Sequence, residues 1–217
     1  MLTLTPAAPR GQTVVLGLAA HPDDLEIGAG GTLLQLDRLV GAGEAAVHVV
    51  VMTGTPERVA EGRAAAADVL GAALVGEVTA LDLPDGLLPG HWLEAKTALR
   101  AAVDGVAPDW VLVPRQSDAH QDHRLLAELA TQLFRGATIW EYEIPKWDGD
   151  LAQPNLYVPL SDETMDAKIN LLLNHYASQR DKPWYDQEVF RGLCRLRGIE
   201  CGARYAEAFT ARKTIVR

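Results

Sequence analysis

The sequence predicts an α/β fold of three layers, a doubly wound and mostly parallel sheet sandwiched between helices. Three observations predict it. Short apolar runs recur at residues 13–19, 45–52, 75–83, 110–114 and 138–144, and stretches of helical period separate them. The run Ala45-Ala46-Val47-His48-Val49-Val50-Val51-Met52 is apolar nearly throughout, as a strand covered on both faces must be. The joining loops are short, and strands alternating with crossover helices imply right-handed βαβ units.

Residues 1–12 are a lead-in containing Pro6 and Pro9. After the first strand, Leu33, Leu34, Leu36 and Leu39 form a helical stripe that stops near Gly41-Ala42-Gly43. Residues 57–70 are alanine-rich and helical up to Gly71, and Pro84-Asp85-Gly86 is a turn signature after the third strand. A helix is expected over 91–106, another over 125–134, and a strand ending at Pro145 between them and the C-terminal region. From Lys146 the rhythm changes: a polar loop at 147–154, a strand at 155–160, a helix at 162–177 with Ser161 as N-cap, a helix at 187–196 and a last strand at 209–215. With no linker or repeat to divide it, the chain reads as one domain, residues 1–145 forming the parallel βα core and 146–217 an extension packed on it.

Composition and motifs argue against several functions. The net charge of −9 argues against partners held by phosphate neutralisation, nucleic acid or an anionic membrane surface. No apolar run is long enough to span a bilayer and no leader pattern opens the chain, so a cytoplasmic protein without membrane insertion is expected. Cys194 and Cys201 form no Cys-x-x-Cys pair. Gly28-Ala29-Gly30-Gly31 lacks the dinucleotide-binding spacing, and close helix packing accounts for these glycines better. No Gly-x-Ser-x-Gly elbow is present.

The chemistry concentrates in two clusters at strand ends. Ala20-His21-Pro22-Asp23-Asp24-Leu25-Glu26-Ile27-Gly28 follows the first strand, and Asp118-Ala119-His120-Gln121-Asp122-His123 follows the fourth. Both should open on the carboxyl edge of the sheet, where ligands bind in such folds. Two imidazoles and a carboxylate make a three-donor metal site with one position left over, and His21, Asp24 and His123 are the preferred set. Asp23 is then free as a general base, and His120 is free to donate to a carbonyl oxygen or to protonate a leaving amine, with Asp122 orienting it. Spacing alone leaves two metals, or an iron site of two histidines and one carboxylate, equally open. The chemistry indicated is metal-assisted hydrolysis of an amide or ester.

The first motif, continued through Gly31-Thr32-Leu33, together with His120-Gln121-Asp122-His123-Arg124, resembles the zinc-dependent N-acetylglucosaminyl deacetylases of the PIG-L, or LmbE-like, family. The likeness extends to Arg197–Gly202 and Tyr205–Phe209. It implies a Rossmann-like fold, Zn2+ as cofactor with Fe2+ able to use the same ligands, and a homo-oligomer. The implied metal ligands are His21, Asp24 and His123, and Asp23 is the implied base. His120 is implied to act at the carbonyl oxygen or leaving group, and Asp122 to orient it. Arg58 and Asp85 are implied to contact sugar hydroxyls. The implied substrate is a small N-acetylated sugar conjugate. Where some members carry a tyrosine two residues before the catalytic histidine, this chain has Asp118. An amidase cutting a non-acetyl amide and a sugar-binding relative without turnover are the competing readings.

Overall fold

The computed structural model describes residues 11–214. The lead-in before Gly11 and the end of the last expected strand, at Ile215, lie outside the described residues. In chain order the elements are β1 (Thr13–Ala19), α1 (Asp24–Leu34), α2 (Leu36–Val40), β2 (Ala45–Thr53), α3 (Pro56–Leu70), β3 (Thr79–Leu83) and α4 (Trp92–Ala102). There follow β4 (Trp110–Pro114), α5 (Gln121–Leu133), β5 (Thr138–Tyr142), β6 (Leu156–Leu160), α6 (Asp162–His175), α7 (Gln187–Cys201) and β7 (Tyr205–Ala211).

The strands form one seven-stranded sheet in the order β3-β2-β1-β4-β5-β7-β6. β1 to β5 run parallel, whereas β7 is antiparallel to both neighbours, β5 and β6. The period of two sorts side chains between the faces. Val15 and Ala19 of β1 and Leu112 of β4 join an apolar layer with Leu25, Ile27, Ile169, Leu172, Phe190 and Phe209. Leu16 and Leu18 of β1 and Val111 and Val113 of β4 face the other layer, with Leu99, Leu126 and Leu129. So α1, α3, α6 and α7 cover one face and α4 and α5 the other. The chain reverses its direction of travel across the sheet between β1 and β4, and the carboxyl ends at such a switch point are where ligands bind in open α/β sheets.

Several boundaries differ from expectation. The helix after β1 breaks at Gln35, whose backbone leaves helical geometry (φ −116°, ψ 23°). The third strand starts at Thr79, not residue 75: Val75 donates to Val47 O at 2.8 Å, but Gly76 at φ +70° interrupts the pairing. α4 ends at Ala102 ahead of Gly105, α6 ends at His175, and α7 runs on to Cys201. The last strand lies at 205–211, earlier than expected. Ser161 does cap α6, its hydroxyl accepting from Thr164 N at 3.1 Å.

α1 carries the first motif and is buried from Asp24 to Leu33, so it has no solvent face. Its glycines let neighbours approach: a Cβ at Gly28 would run into the Tyr142 ring, and one at Gly31 would meet Leu160. A buried ion pair then fixes the helix. Glu207 of β7 accepts from Gly31 N at 2.7 Å and from Thr32 N and Thr32 Oγ1 at 2.6 Å, while Lys168 Nζ of α6 reaches Glu207 Oε1 and Ile27 O at 2.6 Å. Glu207→Ala would strand the Lys168 ammonium in the core, and removing one partner of a buried pair costs about 3–5 kcal/mol. Urea unfolding should show a loss of that order; a loss below about 1 kcal/mol would mean that α1 does not lean on this clamp.

Candidate metal centre

The turn after β1 is held from every side. Thr53 at the end of β2 donates its N–H and its hydroxyl to Ala20 O at 3.0 and 2.8 Å. Tyr176, just past α6, donates to Pro22 O at 2.7 Å, and Tyr142 at the end of β5 donates to Leu18 O at 2.7 Å. Gly62 of α3 packs so near that a Cβ there would lie 2.8 Å from Pro22 O. Asp24 turns its carboxylate back over this turn, Oδ2 accepting from Ala20 N at 3.0 Å and His21 N at 2.9 Å.

The turn faces the start of α5. Sequence reasoning places the second cluster in a loop before a helix at residue 125, but the helix begins at Gln121. His120 is its N-cap, with Nδ1 accepting from Asp122 N at 3.2 Å, and His123 sits in its first turn. A backbone N–H can only donate, so in the neutral ring the proton is on His120 Nε2.

Three donor atoms meet here. His21 Nδ1 lies 3.4 Å from Asp24 Oδ2, His123 Nε2 lies 3.3 Å from Asp24 Oδ2, and the two nitrogens are 3.3 Å apart. In a tetrahedral site with bonds of about 2.0–2.1 Å, donors stand about 3.3–3.4 Å from one another. The three side chains therefore have the spacing of one triangular face around a zinc-sized ion. A second grouping, His21 with His120 and Asp122, shares His21 with the first, so the two describe one cluster. The rear nitrogens of both imidazoles are buried without an aligned hydrogen bond, yet face carboxylates: Asp118 Oδ2 is 3.2 Å from His123 Nδ1, and Asp85 Oδ1 is 3.1 Å from His21 Nε2. A carboxylate behind a histidine ligand is the usual support of such a site.

Electrostatics follow the same plan. Burial opposes ionisation of Asp24, but the His123 and His21 imidazoles overcome it and hold its carboxyl well below the usual range. Burial disfavours charge on His123, yet Asp24 and Asp118 raise it to about 9, and His21 is raised by Asp24 in the same way. Burial likewise opposes charge on Asp118, but His123 and Lys146 bring it down to about 2. Asp23 is shifted up by burial, against the pull of Arg58, whose Nη2 donates to Asp23 Oδ1 at 2.8 Å. His120 is shifted down, by burial and then by the other two imidazoles.

The predicted site residues thus gather at one edge. Arg58, in the first turn of α3, spans Asp23 and Asp85, with Nη1 at 3.6 Å from Asp85 Oδ2. The Asp122 carboxylate departs from expectation: its hydrogen bonds go to the amides of Gly86 and Leu88, at 2.7 and 3.1 Å, and not to His120. His175 pairs with Asp68 of α3 at 3.0 Å, and His48 lies in mid-strand. Glu26 is enclosed behind Asp23, and burial pushes its carboxyl up to about 8. Sequence reasoning missed Lys146, which reaches Asp118 at 2.9 Å and Asp150 at 3.0 Å. Its only sequence signal is its place just after β5, on the same sheet edge.

A sequence model of the family described as PIG-L, GlcNAc-PI de-N-acetylase, matches residues 16–134, more than half of the chain and both clusters. The chain belongs to the PIG-L family. Solved structures agree in fold. A conserved protein from Thermus thermophilus is 26% identical, with a TM-score of 0.71 over 94% of this chain and 96% of that one. The N,N'-diacetylchitobiose deacetylase of Pyrococcus horikoshii is 24% identical, with a TM-score of 0.72 over 92% of this chain and 84% of that one. A 4-carboxy-2-hydroxymuconate hydratase from Pseudomonas putida is 17% identical, with a TM-score of 0.73 over 95% and 98%. The fold is therefore shared with proteins named for different reactions. Among the described residues, no helix is long and apolar enough to cross a membrane.

Two outcomes test the cluster as a cation site. Removing the carboxylate behind His123, by Asp118→Asn, should weaken zinc binding about 10–100-fold in calorimetry. Because His123 is raised to about 9, a cation must displace its proton at any lower pH. Zinc affinity should therefore fall as pH drops from about 8.5 to 6, with protons released on binding; a flat profile would contradict the ligand set.

Proposed function

We propose that this PIG-L protein is a metal-dependent amide hydrolase that removes the acetyl group from an N-acetylated amino sugar conjugate, such as an N-acetylglucosaminyl conjugate, with zinc at His21, Asp24 and His123. The observation that carries the reading is the triangle of donors at 3.3–3.4 Å beside a carboxylate, Asp23, that takes no part in it. A zinc ion bound there supplies Lewis acidity, polarising the amide carbonyl and acidifying a neighbouring water. Asp23 accepts the water's proton as the oxygen adds to the carbonyl carbon. Burial brings this carboxyl up toward the operating range of a general base, and Arg58 holds Oδ1, which leaves Oδ2 for the water. His120 presents Nε2–H to the carbonyl oxygen as negative charge develops there. When the C–N bond breaks, the amine nitrogen leaves with the bonding pair and takes up the proton that Asp23 carried. Acetic acid, which then ionises to acetate, and the free amino sugar result, and Asp23 is again a carboxylate. Asp85, half exposed and paired with Arg58, would accept from a sugar hydroxyl.

Similarity supports the reading, since the family model is that of a de-N-acetylase and one structural neighbour is a diacetylchitobiose deacetylase. The protein should release acetate from N-acetylglucosaminyl conjugates, and chelation should abolish this. Asp23→Asn should lower kcat about 10²–10⁴-fold while zinc stays bound. Full activity in that variant would remove Asp23 from the role of base. Turnover yielding an acid other than acetate would replace deacetylase by a broader amidase.

A further inference from the structure

We propose that Asp122 is a positioning residue for the metal ligand His21 and for the loop that carries Asp85, and is not the partner of His120. The proposal rests on the reading of His21 as a ligand. Asp122 is completely enclosed, at 0% exposure. Both its carboxylate oxygens are committed to the loop between β3 and α4, Oδ2 to Gly86 N at 2.7 Å and Oδ1 to Leu88 N at 3.1 Å. Oδ2 also lies 3.5 Å from His21 Nε2, the buried rear nitrogen of the ring whose Nδ1 faces Asp24. One carboxylate therefore sits behind the metal ligand and across the base of the substrate-side loop together.

The neighbouring residue strengthens the hold. Gln121 Nε2 donates to Gly86 O at 2.9 Å, so the two residues that open α5 grip both backbone polar groups of Gly86, its N–H and its C=O. Gly86 itself adopts the left-handed region, φ +75°, which glycine takes without steric strain. The loop so fixed puts Asp85 Oδ1 at 3.1 Å from His21 Nε2 and Oδ2 at 3.6 Å from Arg58. His21 Nε2 thus faces two carboxylates with different duties. Asp85 is half exposed and free to turn toward a sugar hydroxyl. Asp122 is enclosed and stays behind His21 when Asp85 does so. The contact between Asp122 and His120 is of another kind: the main-chain N–H of Asp122, at 3.2 Å from Nδ1, fixes the His120 tautomer, and a change of side chain leaves that bond in place.

The test uses Asp122→Asn in the whole chain, with Gln121→Ala as a companion, zinc alone as the ligand, and NMR. In Asp122→Asn, exchange of the Gly86 and Leu88 amide protons should speed up at least about tenfold, and zinc affinity should drop about 10–100-fold. The ring nitrogen signals of His120 should stay where they are. Gln121→Ala should loosen the loop amides while leaving zinc affinity unchanged. Unchanged loop exchange with unchanged zinc affinity, or a displaced His120 ring signal over an unaltered loop, overturns the proposal. Should Asp122→Asn not fold, the wild-type protein decides: fast exchange at Gly86 or Leu88 there is incompatible with carboxylate-bound amides. Turnover enters none of these measurements, so failure of the deacetylase reading is separable from failure of this one.

Discussion

The centre of this structure is one oxygen atom. Asp24 Oδ2 takes hydrogen bonds from the amides of Ala20 and His21 and stands within 3.4 Å of nitrogens on both His21 and His123. Burying a carboxylate is costly unless its charge is answered, and two amides answer only part of it. The amides belong to the turn that ends β1, and the nitrogens come from that turn and from α5. Asp24 thus gives the two strand ends a common focus, and a divalent cation among the three donors would complete the charge balance.

The rest of the fold keeps that focus still. Hydrogen bonds reach the turn from β2 and the end of α6, through Thr53 and Tyr176, and the end of β1 from β5, through Tyr142. The Glu207–Lys168 pair ties α1 to the antiparallel strand β7 and to α6. The C-terminal third is thereby joined to the site although its strands lie at the far end of the sheet. Lys146 does the same locally: it brings the loop after β5 against Asp118, and so against His123. The site rests on rigid elements and buried contacts, as a preorganised constellation must.

Much of this was legible in the sequence. The uninterrupted apolar runs announce a parallel sheet, and each cluster follows such a run, so both had to open at one edge. The residues His21, Asp23, Asp24, His120 and His123 are adjacent to strand ends and could be found by residue type alone. What escaped was set by tertiary contact. The antiparallel placement of β7 between β5 and β6 depends on pairing partners far away in the chain. The early start of α5 was hidden because His120 is an uncommon N-cap and Asp122 resembles a loop residue. The Asp122 carboxylate was assigned to its sequence neighbour His120, but tertiary packing gives it other donors, the amides of Gly86 and Leu88. Lys146 had no local pattern at all.

A fold shared with a hydratase at a TM-score of 0.73 places loops but does not choose a reaction. With Asp23 as the proposed base, the choice lies in its balance with Arg58. Complete burial alone would keep Asp23 protonated and useless as a base, while full exposure to Arg58 in an open site would make it too weak a base to take a proton. The observed arrangement sets these effects against each other, with burial prevailing and the guanidinium limiting the rise. Arg58 also faces Asp85, so the carboxylate that meets solvent and the carboxylate that would take a proton share one cation. A polar group that engages Asp85 draws on the same guanidinium that tempers Asp23. With Asp85 as the proposed recognition group and Asp23 as the proposed base, the two are electrostatically linked through Arg58.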